Sequence, residues 1–159
     1  MPRRGQARIR KTKKDPLYGD LMVAKLINRA MRDGKKSVAQ KQVYGAFDIV
    51  KEKSSGDPLA QFHQALANIR PSMEVRPRRV GGAAYQVPMP VRGARQDALA
   101  IRWMVEAART RSNSEFHTFA DKLAAEILEA VKEEGGAVKK KTDMERVAEA
   151  NRAFSHFRW

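Results

Sequence analysis

Residues 73–91 place the tightest limit on what this chain can fold into. The segment reads Met-Glu-Val-Arg-Pro-Arg-Arg-Val-Gly-Gly-Ala-Ala-Tyr-Gln-Val-Pro-Met-Pro-Val. Pro77, Pro88 and Pro90 cannot donate to a β-ladder, so strands formed here have to be edges. Gly81-Gly82 supplies the turn between them. The segment therefore predicts a two-stranded β-ribbon projecting from a body built of something else. Arg76, Arg78 and Arg79 crowd one arm, and Tyr85 sits on the return. Arginine is a permanently charged fork that fits phosphate oxygens in pairs, and a tyrosine can stack on a base. Such a ribbon suits nucleic acid better than a hydrophobic core.

The body reads as helices. Val23, Leu26, Ile27, Ala30 and Met31 fall at helical spacing over 20–33. Lys25, Arg29 and Arg32 form a basic stripe at i, i+4 and i+7, facing away from that apolar side. Gly34 is the expected C-cap, with Lys35-Lys36 in the loop beyond. A second helix covers 37–53. Asp57-Pro58 starts a third, and Pro71 stops it. Residues 95–111 are apolar around most of their surface and predict the central helix, with Arg95, Arg102, Glu106 and Arg109 as its polar stripe. Ser112 with Glu115 predicts a capping box for a fifth helix, whose core is Phe116, Phe119, Leu123, Ile127 and Val131 and which Gly135-Gly136 ends. Lys139, Lys140 and Lys141 read as a second basic loop. Thr142 with Glu145 reads as the cap of a last helix using Met144, Val147, Ala148, Ala150 and Phe154. The expected fold is mainly α: one domain over 1–159, about six helices in a bundle, a protruding hairpin at 73–91 and a flexible basic arm at 1–14.

Charge sharpens the functional reading. The chain of 159 residues carries a net charge of +14 and no cysteine. Counted along the sequence, residues 1–100 hold 21 basic and 8 acidic side chains, and residues 101–159 hold 11 and 10. Segregation of this kind marks a defined polyanion-binding face. The arm contributes Arg3, Arg4, Arg8, Arg10, Lys11, Lys13 and Lys14, and Arg92 follows the ribbon. The acids of 115–134 read as a solvated helix face, with Glu126, Glu129 and Glu133 turned away from phosphate. An anionic membrane surface is the bland competitor, but no apolar run approaches the roughly 18–20 residues of a span. The basic N-terminus lacks the apolar stretch of a secretory signal.

Catalytic and metal chemistry finds no footing in the pattern. His63, His117 and His156 are widely separated and show no HxxxH spacing. Gly34-Lys35-Lys36-Ser37 resembles the end of a P-loop, but Arg29 stands where that motif needs its first glycine. No cofactor or metal is expected, and the chain is not expected to be an enzyme.

Six segments then match one family in register: Asp-Pro-Leu-Tyr-Gly-Asp (15–20), Met-Arg-Asp-Gly-Lys-Lys (31–36), 73–88 of the ribbon, Leu-Ala-Ile-Arg-Trp (99–103), Gly-Gly-Ala-Val-Lys-Lys-Lys (135–141) and Ala-Glu-Ala-Asn-Arg-Ala-Phe-Ser-His-Phe-Arg-Trp (148–159). The chain resembles small-subunit ribosomal protein seven, of bacterial or organelle type, over essentially its whole length. The resemblance implies a structural constituent of the small ribosomal subunit in the cytoplasm or an organelle. It implies binding to the 3′ major domain of small-subunit rRNA and nucleation of head assembly. It also implies a place at the subunit interface near the exit-site tRNA and the mRNA exit path, with head and platform proteins, nine and eleven among them, as neighbours. Two rivals stand beside it: an architectural DNA-binding protein whose arm enters a minor groove, and an RNA-processing enzyme.

Overall fold

The structure, a computed structural model, describes residues 12–54 and 56–157. Its elements run α1 (Leu21–Ala30), α2 (Lys36–Ser54), α3 (Pro58–Ile69), β1 (Met73–Val80), β2 (Ala83–Pro90), α4 (Ala94–Thr110), α5 (Phe119–Val131), α6 (Gly136–Ala150) and a 3-10 helix at Arg152–Phe157. Mainly helical with one antiparallel ribbon is the architecture the sequence predicts.

Local chemistry explains the starts and stops. Asp20 Oδ1 accepts from the Met22 and Val23 amides (2.5 and 2.9 Å) and caps α1. This helix ends at Ala30, short of the expected limit at Asp33. Met31 leaves the helical region, and Asp33 and Gly34 both take positive φ (52° and 74°) to turn the chain. Lys36 is consequently the first residue of α2, not a loop residue. Asp57 caps α3 ahead of Pro58, as predicted. Arg70 is extended, the conformation favoured before Pro71.

Leu66, Met104, Leu123 and Ile127 are fully buried together with Phe47 and Phe62, where α2, α3, α4 and α5 meet. Burying such side chains contributes roughly 1.5–3 kcal/mol each. Helix α4 touches α1, α3, α5 and α6, the enclosed position its sequence predicts.

Two starts differ from expectation. Helix α5 begins at Phe119, not near Ser112. Its cap is Thr118, whose hydroxyl accepts from the Asp121 amide, with Asp121 returning the bond. Ser112 is spent on a local contact with Ser114 (2.6 Å), and Phe116 lies outside the helix under the Arg111 guanidinium. Helix α6 begins at Gly136, so Gly135-Gly136 opens it and does not end α5. Lys139, Lys140 and Lys141 are helical, and Thr142 is mid-helix with its hydroxyl donating back to Val138 O (3.2 Å). The reason is remote: Glu126 of α5 accepts the Ala137 amide (2.8 Å) and caps α6 from outside. Glu126 is therefore interior, 1% exposed, and not on a solvated face. Phe154 lies in the 3-10 helix, and Val147 is exposed.

Candidate nucleic-acid interface

The ribbon pairs Met73 with Pro90, Val75 with Pro88 and Pro77 with Gln86. All three prolines thus fall on the same alternate set of pairs. That set is the one whose N–H groups point out of the ladder, the placement a residue without an N–H requires. Gly81 and Gly82 both have positive φ (57° and 90°), the pattern of a type I′ turn. Register follows from these two facts. Arg78 is paired with Tyr85 and Arg76 with Val87, which puts both arginines on the face that carries the tyrosine. The ribbon is not free-standing: Tyr85 packs on Phe154 and Phe157 (5.2 and 5.3 Å between centroids).

Three acids organise the basic face. Glu74, 5% exposed, holds Arg76 and also Arg95 (3.0 Å). Asp97 holds Arg70 (2.9 Å) and Lys25 (3.9 Å). Glu106 holds Lys140 (2.9 Å) and Arg29 (3.5 Å). Each node pairs two cations with one carboxylate and keeps a net positive charge. The hydrogen bond from Lys140 holds Glu106 below the usual carboxylate range, outweighing its burial, with the charges of Lys140, Arg29 and Arg102 adding to it. Hydrogen bonds to Glu74 and Glu106 orient Arg76, Arg95, Lys140 and Arg29 in advance, which lowers the entropy lost on binding an anion, whereas Lys25 meets Asp97 through charge alone. Sequence reading missed Glu74, Asp97 and Arg70 as parts of this face. The available signal was isolation: Glu74 is the one acid between Asp57 and Asp97.

Other predicted residues sort into two groups. Arg32, Lys35, Lys36, Arg78, Arg79, Arg92, Arg102 and Lys139 form no salt bridge among the described residues. Lys13 and Lys14 are exposed and share a groove of about 560 Å³ with Lys36. Lys141 instead donates to Asn68 O (2.9 Å) and pins α6 to α3, while Arg109 donates to Ala30 O (3.0 Å) and pins α4 to α1. Burial, with Arg32 and Arg29 nearby, lowers the pKa of Arg109, the mark of positive charge left partly uncompensated. Arg3, Arg4, Arg8, Arg10 and Lys11 lie outside the described residues. Among the described residues no group of His, Asp and Glu could hold a metal, and no helix is long and apolar enough to cross a membrane.

Comparison with known proteins decides the family. The family model described as ribosomal protein S7p/S5e matches residues 2–152. The chain belongs to the ribosomal protein S7p/S5e family. It is 57% identical over 157 residues to the small ribosomal subunit protein uS7 of Thermotoga petrophila, covering 99% of both chains. It is 58% identical over 159 residues to that of Caldicellulosiruptor saccharolyticus, and 57% to that of Acetivibrio thermocellus, each over 100% of both chains. Within this family member the ribbon, α1, the end of α3, α4 and the first half of α6 carry the cationic nodes.

Proposed function

We propose that the protein is a structural constituent of the small ribosomal subunit in the cytoplasm and works as an RNA clamp, not a catalyst. Family membership supports the coarse reading, since the relatives are named as ribosomal proteins and not as enzymes. The observation that carries the mechanism is the set of three nodes centred on Glu74, Asp97 and Glu106. Their members come from β1, α1, α4, α6 and the end of α3. They hold Arg76, Arg95, Arg29 and Lys140 as oriented donors, with Lys25 close by, beside Arg32, Lys35, Arg78 and Arg79, which have no acid partner among the described residues. Such a face neutralises RNA phosphates and releases their condensed counterions, so affinity falls steeply with salt. Discrimination comes from RNA shape and unpaired bases, because side chains cannot read the deep major groove of A-form RNA.

The finer reading names the 3′ major domain of small-subunit rRNA as the partner and head assembly as the outcome. The ribbon tip and C-terminal segment then approach exit-site tRNA and the mRNA path, with proteins nine and eleven as neighbours. A single rRNA-binding domain with a basic arm at 1–14 is part of the same proposal. Titration against a 3′ major-domain fragment at several salt concentrations, with duplex DNA as competitor, tests it. Tight binding that survives excess DNA supports the clamp; equal loss to DNA at every salt rejects it. Replacing Arg76, Arg78 and Arg79 with alanine costs roughly 1–3 kcal/mol for each charge-assisted hydrogen bond removed, and unchanged affinity at physiological salt would exclude the ribbon from the interface.

A further inference from the structure

One groove on the basic face has a floor that phosphate binding alone does not need. It encloses about 500 Å³ where the end of α1, the start of α2, the end of α4 and the start of α5 converge. That is within the roughly 300–1,000 Å³ of small-molecule sites. Arg32, Lys35 and Arg109 stand on its wall, and Asp33 is the one acid among its lining residues. Val38 in the first turn of α2 lines it and is 55% exposed, and half-buried Phe119 at the first position of α5 lines it too. The lining thus combines an exposed valine and an aromatic side chain with three cations.

His117 and Lys122 also line the groove, and its two side-chain amides present donors. Gln42 Oε1 is occupied by the Ala120 amide (3.1 Å), which leaves the Gln42 amide nitrogen. Asn113 Oδ1 is occupied by Lys122 Nζ (2.6 Å), which leaves the Asn113 amide nitrogen. Donors beside an apolar floor match the carbonyl and ring-nitrogen acceptors of a nucleobase.

We propose that this groove receives one unstacked nucleotide of the bound RNA, its phosphate on Arg32, Lys35 and Arg109 and its base against Val38 and Phe119. The inference rests on the RNA-binding reading above and assigns a subsite within it. Phosphate positions the RNA, while the base contact lets the protein distinguish a splayed nucleotide from a continuous duplex.

The test compares adenosine 5′-monophosphate, ribose 5-phosphate and inorganic phosphate, titrated into the full chain and followed by valine-methyl and aromatic NMR. The first two share a phosphate and a ribose and differ in the base. The expected result is saturable movement of the Val38 methyls, with the nucleotide binding at least about fivefold tighter than ribose 5-phosphate. Val38→Asp, at an exposed helical position, removes that difference and leaves the remaining methyl spectrum in place. Equal affinities for nucleotide and ribose 5-phosphate overturn the proposal, as does nucleotide-induced movement at Tyr85 with none at Val38. The rRNA-fragment titration runs beside it. Fragment binding without a base effect rejects the groove alone, whereas absence of fragment binding rejects the RNA reading itself.

Discussion

Arg111 donates to Glu126 Oε2 (2.6 Å) and also to Glu129, and the Phe116 ring centre lies 5.5 Å from its guanidinium. The hydrogen bond to Glu129 raises its pKa further, against its burial, and the bond to Glu126 adds to the rise. Glu126 spends its other oxygen on the Ala137 amide, so one buried carboxylate ties the end of α4 to α5 and α6. Removing one partner of a buried pair leaves the other uncompensated, which costs about 3–5 kcal/mol. Arg111→Ala is expected to lose stability on that scale in urea unfolding. Glu126→Gln loses less, because an amide oxygen still accepts from Ala137. Equal losses in the two variants would show that the charge, not the helix cap, carries the stabilisation. Arg146 and Arg152 pair with Asp143 and Glu149 on the exposed side of α6 and its continuation, each arginine 79% exposed. Such pairs contribute about 0–1 kcal/mol, and Arg146→Ala should leave the unfolding midpoint nearly unchanged.

The ribbon and α6 are the two elements that separate legible from illegible structure. Proline spacing and the Gly-Gly pair specify the ribbon locally, and its register follows from them. Helix α6 is different. Its start depends on Glu126, which belongs to the preceding helix and reaches across to the turn. A Cβ at Gly135 would meet Glu126 Oε1 at 3.1 Å and Glu129 at 3.2 Å. A local scan sees Gly-Gly and three lysines and reads a break. The same blindness hid Thr118, because Ser112-Glu115 offered a plausible cap nearer the preceding helix. Candidate site residues were legible as basic positions, but the acids that tie some of them down are distant in sequence and were not. At the hairpin tip, Gly81 and Gly82 meet no neighbouring atoms, so substitution there costs backbone strain alone. Replacing both with alanine should cost about 1–2 kcal/mol per residue and speed amide exchange across β1 and β2, whereas Gly81→Asn is tolerated. Deleting residues 152–159 removes Phe154 and Phe157 from Tyr85. Faster exchange in both strands of the ribbon is the expected result, and unchanged protection would mean that α6 alone holds it.

At the scale of the whole molecule, the near-neutral final third takes on a different meaning. Its balance suggested a solvated acidic face. In the structure, Glu106 and Glu126 are internal ties, one arranging the cationic surface and the other closing the core. Glu106 makes this testable through pH. Its pKa in the folded chain lies below the ordinary value, so it binds a proton less readily folded than unfolded. The stability it contributes is then fully present above the unfolded glutamate value of about 4.3 and is lost as pH falls through the lower folded one. Wild type and Glu106→Gln should differ by a constant amount in unfolding midpoint from about pH 7 to pH 5, with the gap closing below about pH 4. A gap that stays constant through that acid range would assign the contribution of Glu106 to packing. The same variant also removes the acid from its node and leaves two cations, Arg29 and Lys140, without a fixed direction. More charge strengthens binding to any polyanion at low salt, duplex DNA included. Less orientation weakens preference among polyanions. Glu106→Gln is therefore expected to gain affinity for duplex DNA at low salt while its preference for the rRNA fragment over that DNA declines. Retention of the full preference would mean that specificity resides in the ribbon and the groove beside α2, with Glu106 serving stability alone.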